Sequence, residues 1–172
     1  NFQKAPTHQV VAAEVIAKDP SRWFKTVIID KGRSDGLQKG LPVVLPTGIA
    51  GQVIEVSGRY AKVMLIIDRN SAVDALVQRS RARGIIKGES ADQCRFEFVL
   101  RKHDVQIGDT VLASGLDGVY PKGLRIGRVS DLSQRSSDIF YEITLTPFVD
   151  FEKLEEVLVI LHPKTQAFAS QQ

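Results

Sequence analysis

GDTVLASGLDGVYPKGLRIGRV, residues 108–129, is the stretch on which the fold turns. A short apolar strand, Thr110–Ala113, runs into glycines, a proline and an aspartate, and a second strand starts at Leu124. No helix-forming segment follows the glycines, so the stretch is no phosphate cradle. It reads as a tight corner between two barrel strands, where Gly115, Gly118 and Gly123 permit φ > 0 or close backbone approach. A fainter copy lies upstream, in Gly36–Val44 followed by Thr47–Val53. Aligning Gly40 with Gly108 sets Val43 on Val111 and Gly51 on Gly127, with roughly eight residues inserted in the second copy. One strand–corner–strand plan is used twice, which points to two related β modules.

The rest of the chain agrees. Val10–Ala17, Thr26–Asp30, Val43–Leu45, Gly51–Val56, Lys62–Asp68 and Ala72–Val77 are β-type runs, as are Gly84–Lys87, Arg95–Leu100, Thr110–Ala113, Leu124–Leu132, Phe140–Thr146 and Glu156–Leu161. They are rich in Val and Ile and are separated by Gly, Pro, Asp, Ser or Asn. Short strands at this spacing predict an all-β sandwich or barrel with little helix. Tyr141, Ile143 and Leu145 alternate with Glu142, Thr144 and Thr146, the pattern of a strand buried on one side. Val53 breaks the period of two in its run, which predicts a bulge or two-sided burial. Asp19–Phe24 and Asp150–Leu154 are each the candidate for a turn or one short helical segment. Residues 1–9 read as a linker, and 162–172 as a flexible tail.

Composition excludes little. The 172 residues suffice for one large or two small domains, and 43% hydrophobic with 25% charged residues is ordinary for a globular protein. No apolar run approaches the roughly 20 residues of a membrane span. The chain starts at Asn1 without an initiator Met or a signal peptide, so it is expected to be a piece of a longer protein. A net charge of +3 does not predict nucleic-acid binding. Its one basic concentration, Arg79, Arg81 and Arg83, would share one face of a strand, either as a solvated face or as a site for an acidic partner.

Catalytic and metal chemistry find few residues. A double barrel invites comparison with chymotrypsin-like proteases, but Val10–Val77 holds no histidine to activate a nucleophile such as Ser114. His103-Asp104 reads as a turn rather than as a base and its orienting partner. Cys94 is the single cysteine, and His8, His103 and His162 lie far apart, so no metal or other cofactor is expected. Asp150, Glu152, Glu155 and Glu156 read as an exposed acidic turn. Among the aromatics, Tyr120, Phe140 and Tyr141 are the candidates for exposed interface anchors, with Arg79, Arg81 and Arg83 as an electrostatic rim.

Four segments carry a specific resemblance: Asp19-Pro20-Ser21-Arg22-Trp23-Phe24, Ile67-Asp68-Arg69-Asn70-Ser71, Ser114-Gly115-Leu116-Asp117-Gly118, and Asp150-Phe151 ahead of Leu154-Glu155-Glu156-Val157-Leu158-Val159. In order and spacing, over roughly residues 12–161, the chain closely resembles the MreC family of bacterial rod shape-determining proteins. The resemblance implies two small six-stranded β-barrels, distantly like those of chymotrypsin but without a triad. The first would span 10–74, completed by a returning strand at 156–161, and the second 75–150. It further implies the extracytoplasmic (periplasmic) part of an inner-membrane protein, anchored by an N-terminal helix and a coiled coil outside this sequence. The implied role is a non-catalytic scaffold of the cell-wall elongation complex. Such a scaffold self-associates and binds the elongation penicillin-binding transpeptidase, MreD, RodA and the MreB-linked complex. Two rival functions stay open beside it: a degenerate double-barrel hydrolase and a polyanion-binding barrel.

Overall fold

A computed structural model describes residues 9–21, 23–133 and 139–161; the linker at 1–8 and the tail at 162–172 lie outside the described residues. Twelve strands account for the fold: β1 Val10–Lys18, β2 Thr26–Ile29, β3 Pro42–Leu45, β4 Gly48–Val56, β5 Ala61–Leu65, β6 Ala72–Val77, β7 Arg83–Ser90, β8 Gln93–Glu97, β9 Thr110–Ala113, β10 Arg125–Ser133, β11 Glu142–Pro147 and β12 Glu156–Ile160. They close into two antiparallel barrels of six strands, ordered β1-β12-β3-β4-β5-β2 and β10-β11-β8-β7-β6-β9. Closure leaves no sheet edge exposed in either barrel.

Strand alternation fills each interior. In the first barrel Val27, Ile29, Val43, Val53, Val63, Val157 and Val159 are buried, and in the second Val73, Ile86, Phe96, Val111, Ile143 and Leu145. Tyr141, Ile143 and Leu145 face inward as their alternation requires. The irregularity at Val53 is a register shift between Val53 and Glu55 against β5.

The repeat read from the glycines is present in the hydrogen bonding. Val43 pairs with Gly51 in the first barrel and Val111 with Gly127 in the second. The Gly40 N–H donates to the Val53 carbonyl at 2.7 Å, and the Gly108 N–H donates to the Val129 carbonyl at 2.8 Å. Gly40 and Gly108 share a φ of +95°, and Gly115, Gly118 and Gly123 are also left-handed. Gly51 and Gly127 serve the other purpose, close approach. A Cβ on Gly51 would stand 2.0 Å from the Met64 carbonyl oxygen, and one on Gly127 2.4 Å from that of Thr146. Only a residue without a side chain lets these strands pair.

Two local expectations are corrected, and a third, left between a turn and a short helix, falls to the turn. Asp19–Phe24 contains no helix among its described residues: the Asp19 carboxylate accepts the Ser21 N–H at 2.8 Å, and the Ser21 hydroxyl accepts the Trp23 N–H at 3.0 Å, which folds the segment into side-chain-stabilised turns. Arg79, Arg81 and Arg83 do not share a strand face. β6 ends at Val77, whose N–H donates to the Ala82 carbonyl, and Arg81 adopts a φ of +65° in the resulting turn. The strand expected over Arg95–Leu100 stops at Glu97, because Phe98 has a φ of +65°. Within Asp150–Leu154 a single 3-10 turn forms, Phe151–Lys153, capped by the Asp150 carboxylate.

The barrels meet on small residues. A Cβ on Gly48 of β4 would lie 2.7 Å from the Arg125 carbonyl oxygen of β10, and one on Gly88 of β7 2.1 Å from that of Asp68. The Cys94 thiol donates to the Ile66 carbonyl across the same junction at 3.5 Å.

Candidate functional site

The outer wall of the second barrel carries a groove of about 510 Å³ between β8, the end of β10 and β11. The strand period makes its floor. Phe96 and Ile143 pair and point inward, so the neighbouring Arg95, Glu97, Glu142 and Thr144 face out and line it. Beyond Glu97 the backbone turns left-handed and the facing reverses. Phe98 is 57% exposed, whereas Val99 is buried. The displaced Phe98 ring stands edge-on to Phe140, with centroids 5.7 Å apart and planes at 85°. Phe140 is held by a bridge to Leu100, and the Tyr141 N–H donates to the Val99 carbonyl at 3.0 Å. The groove thus has an aromatic lip of two phenylalanines. Arg95 crosses its wall between Glu89 and Glu97, at 3.7 and 3.3 Å, and Asp131 stands exposed at the side.

The sequence-predicted anchors divide. Phe140 and Tyr141 both line this groove, although Tyr141 offers little surface: it is 8% exposed, and its hydroxyl donates to the His103 carbonyl at 2.8 Å. Tyr120 is no exposed anchor. It is 2% exposed, its hydroxyl has no hydrogen-bond partner among the described residues, and burial pushes the phenol pKa above its ordinary value, with the nearby Asp117 charge acting in the same direction. The expected arginine rim is also taken apart by internal pairing. Arg79 donates to both oxygens of Asp109 at 2.9 Å and to Asp104 at 2.6 Å, and Arg83 pairs with Asp74 at 3.2 Å. Hydrogen bonding to Arg79 holds the Asp104 and Asp109 carboxyls below the usual range. Arg81 is exposed in its turn, and none of the three arginines lines the groove. Phe98 is the groove residue that sequence reasoning missed. Period two assigns it to the buried face with Phe96, and only its left-handed φ turns it out.

The residues weighed for chemistry are occupied otherwise. The Ser114 hydroxyl donates to Asp74 at 2.7 Å and accepts the Leu116 N–H, so it supports the corner rather than meeting an imidazole. Cys94 is fully buried, and burial together with the Glu89 charge pushes its thiol up to about 12, far from the thiolate form a nucleophile needs. Among the described residues no cluster of His, Cys, Asp and Glu could hold a metal ion. No helix of the described residues is long and apolar enough to cross a membrane.

Comparison with known proteins places this architecture. The family model described as rod shape-determining protein MreC, barrel core, matches residues 15–161. The cell shape-determining protein MreC of Haemophilus influenzae is 30% identical over 149 residues, covering 86% of this chain but 42% of its own length, so the chain spans less than half of that relative. The crystal structure of MreC from Pseudomonas aeruginosa is similar with a TM-score of 0.86 at 29% identity, covering 88% of this chain and 99% of that one. The fold is also that of the MreC in a complex between a penicillin-binding protein (PBP2) and MreC from Helicobacter pylori, with a TM-score of 0.65 at 17% identity over 90% of this chain and all (100%) of that one. With its two glycine-cornered barrels and a family match over nearly their whole extent, this chain belongs to the MreC family of rod shape-determining proteins.

Proposed function

We propose that this chain is the extracytoplasmic part of a non-catalytic scaffold that docks a penicillin-binding transpeptidase on the outer wall of its second barrel. The observation that carries the proposal is the groove with its Phe98–Phe140 lip: an exposed Phe98 in a left-handed kink, edge-on to a half-buried Phe140 and set over a floor of paired charges. Aromatic anchors with a polar surround are the composition of an interface centre. The Helicobacter pylori relative is in complex with a penicillin-binding protein, which supports a partner of the same class here. Phe140 remains an anchor in this reading and Phe98 joins it, Tyr141 supports them from its buried position, and Tyr120 leaves.

The scaffold acts by binding. A transpeptidase with a resting and an active conformation shifts toward whichever one the groove binds better, and the shift cannot exceed the difference in affinity. Two closed barrels meeting backbone to backbone make a stiff support for such a bias. In the same reading the protein is anchored to the bacterial inner membrane outside this sequence, self-associates, and joins the transpeptidase to MreD, RodA and the MreB-linked complex.

Calorimetry of this chain with the periplasmic part of its cognate transpeptidase, at low and high salt, tests the proposal. Saturable binding that survives high salt and is lost in Phe98→Ser/Phe140→Ser is expected. Binding unchanged in that double variant would place the interface elsewhere, and binding abolished by salt alone would replace the apolar anchor with an electrostatic one.

A further inference from the structure

A second exposed aromatic surface lies on the first barrel. Trp23 is 64% exposed and Phe24 51%, and the described residues beside them are tied by hydrogen bonds. The Asp19 carboxylate accepts the Ser21 N–H at 2.8 Å and the Thr26 hydroxyl at 3.3 Å, and the Ser21 hydroxyl accepts the Trp23 N–H at 3.0 Å. Asp68 completes the clamp. Buried to 1% exposure, it accepts the Lys25 N–H with one oxygen and the Asn70 N–H with the other, both at 2.8 Å. One carboxylate therefore fixes the loop that bears the aromatics and the turn that bears Arg69. The Arg69 guanidinium carbon sits 5.3 Å from the centroid of the Trp23 ring. Arg79, Arg83 and Arg95 are all paired with carboxylates, whereas Arg69 has no carboxylate partner among the described residues. Stacking on an indole orders a guanidinium while leaving its donor edge open.

We propose that Trp23, Phe24 and Arg69 form a docking surface for an acidic peptide segment of a partner protein. An apolar side chain of that segment seats on the two rings, and an adjacent carboxylate takes the open edge of Arg69 in a bidentate pair. Tryptophan and arginine are the residues that dominate protein interfaces, and a preorganised loop lowers the ordering cost of binding. An anionic lipid surface suits the site less well, because lipid recognition draws on clusters of roughly 4–8 Lys and Arg. The nearby Lys18 ammonium is already turned to the backbone carbonyls of Phe151 and Glu152. This surface is separate from the groove on the second barrel, so loss of binding at one does not entail loss at the other.

Trp23 is the only tryptophan of the chain, so its emission reports this surface alone. The probes are an end-blocked peptide DFEDLE, its charge-reversed counterpart KFKKLK, and vesicles of phosphatidylglycerol. A saturable blue shift with DFEDLE is expected, about tenfold weaker in Arg69→Gln and in Phe24→Ser, as for loss of one charge-assisted hydrogen bond or one aromatic anchor. Circular dichroism melting of both exposed-site variants shows that they remain folded. Equal response to the two peptides, no response to either at millimolar concentration, an unaltered response in Arg69→Gln, or a shift produced by the vesicles alone would each overturn the proposal.

Discussion

Replacing Gly51 by alanine separates close approach from conformational freedom as the reason for a glycine. The new Cβ would stand 2.0 Å from the Met64 carbonyl oxygen, where ordinary contact begins at 3.4 Å. The next nearest atoms, the Met64 carbonyl carbon and the Leu65 Cα at 2.8 and 2.9 Å, are also backbone. No rotamer change relieves this, so β4 and β5 must part by roughly 1.4 Å, which breaks the hydrogen bonds flanking the Gly51–Leu65 pair. Two ladder bonds at about 1 kcal/mol each, with loosened packing of the valines behind them, give a loss of roughly 3–5 kcal/mol. That is a large part of the roughly 5–15 kcal/mol by which domains are stable. Gly40→Ala meets no atom within 4 Å but must hold a φ of +95°, for a cost of about 1–2 kcal/mol. Gly58→Ala has open space and no left-handed φ, so its effect lies between nothing and a gain of about 1 kcal/mol. Urea denaturation followed by far-ultraviolet circular dichroism measures all three, and the twin positions Gly127 and Gly108 should rank as Gly51 and Gly40 do. A Gly51→Ala variant within about 1 kcal/mol of Gly58→Ala would refute the steric argument.

Two tyrosines should respond in opposite senses to loss of the hydroxyl. Tyr120→Phe removes a buried, unpartnered group and leaves stability equal or higher, whereas Tyr141→Phe loses its bond to the His103 carbonyl at a cost of about 1 kcal/mol, both read by urea midpoints. Asp104 and Asp109 have folded pKa values below their unfolded ones, so Arg79 contributes stability that is present above about pH 4 and lost as pH falls through the folded values. Acid titration of Arg79→Gln should accordingly show a shallower loss below that pH than the parent chain. Cys94 should stay unreactive to a thiol reagent at pH 8 until the second barrel unfolds, and prompt labelling of the folded chain would contradict its burial.

What was legible in the sequence was what is local. The glycine corners and the Tyr141–Leu145 alternation each depend on a few neighbouring residues, and the paired glycines fall in the register their alignment requires. What escaped depends on single backbone angles or distant partners. One left-handed residue, Phe98, reverses the facing of its strand and creates the aromatic lip, and no period-two reading contains that reversal. The Arg79–Arg83 run has the spacing of a strand face, but the Val77–Ala82 hydrogen bond makes it a turn, and its acids arrive from 74, 104 and 109. Tyr120 follows a glycine-rich corner that suits a surface ring and a core plug equally well.

The order of strands in the first barrel also sets an order of events. β12 lies between β1 and β3, while the whole second barrel is threaded between β5 and β12 in the sequence. As the chain is made from its N-terminus, β1 to β5 can form only an open sheet of five strands, with β1 and β3 as its bare margins. The second barrel is contiguous and can close on its own while that sheet waits. By folding it draws the ends of a long intervening segment together, so that residues 156–160 reach the gap as a short return rather than as a distant search. A chain cut short before Glu156 would therefore carry a finished second barrel tethered to an unfinished first one, whose two open margins invite pairing with another chain.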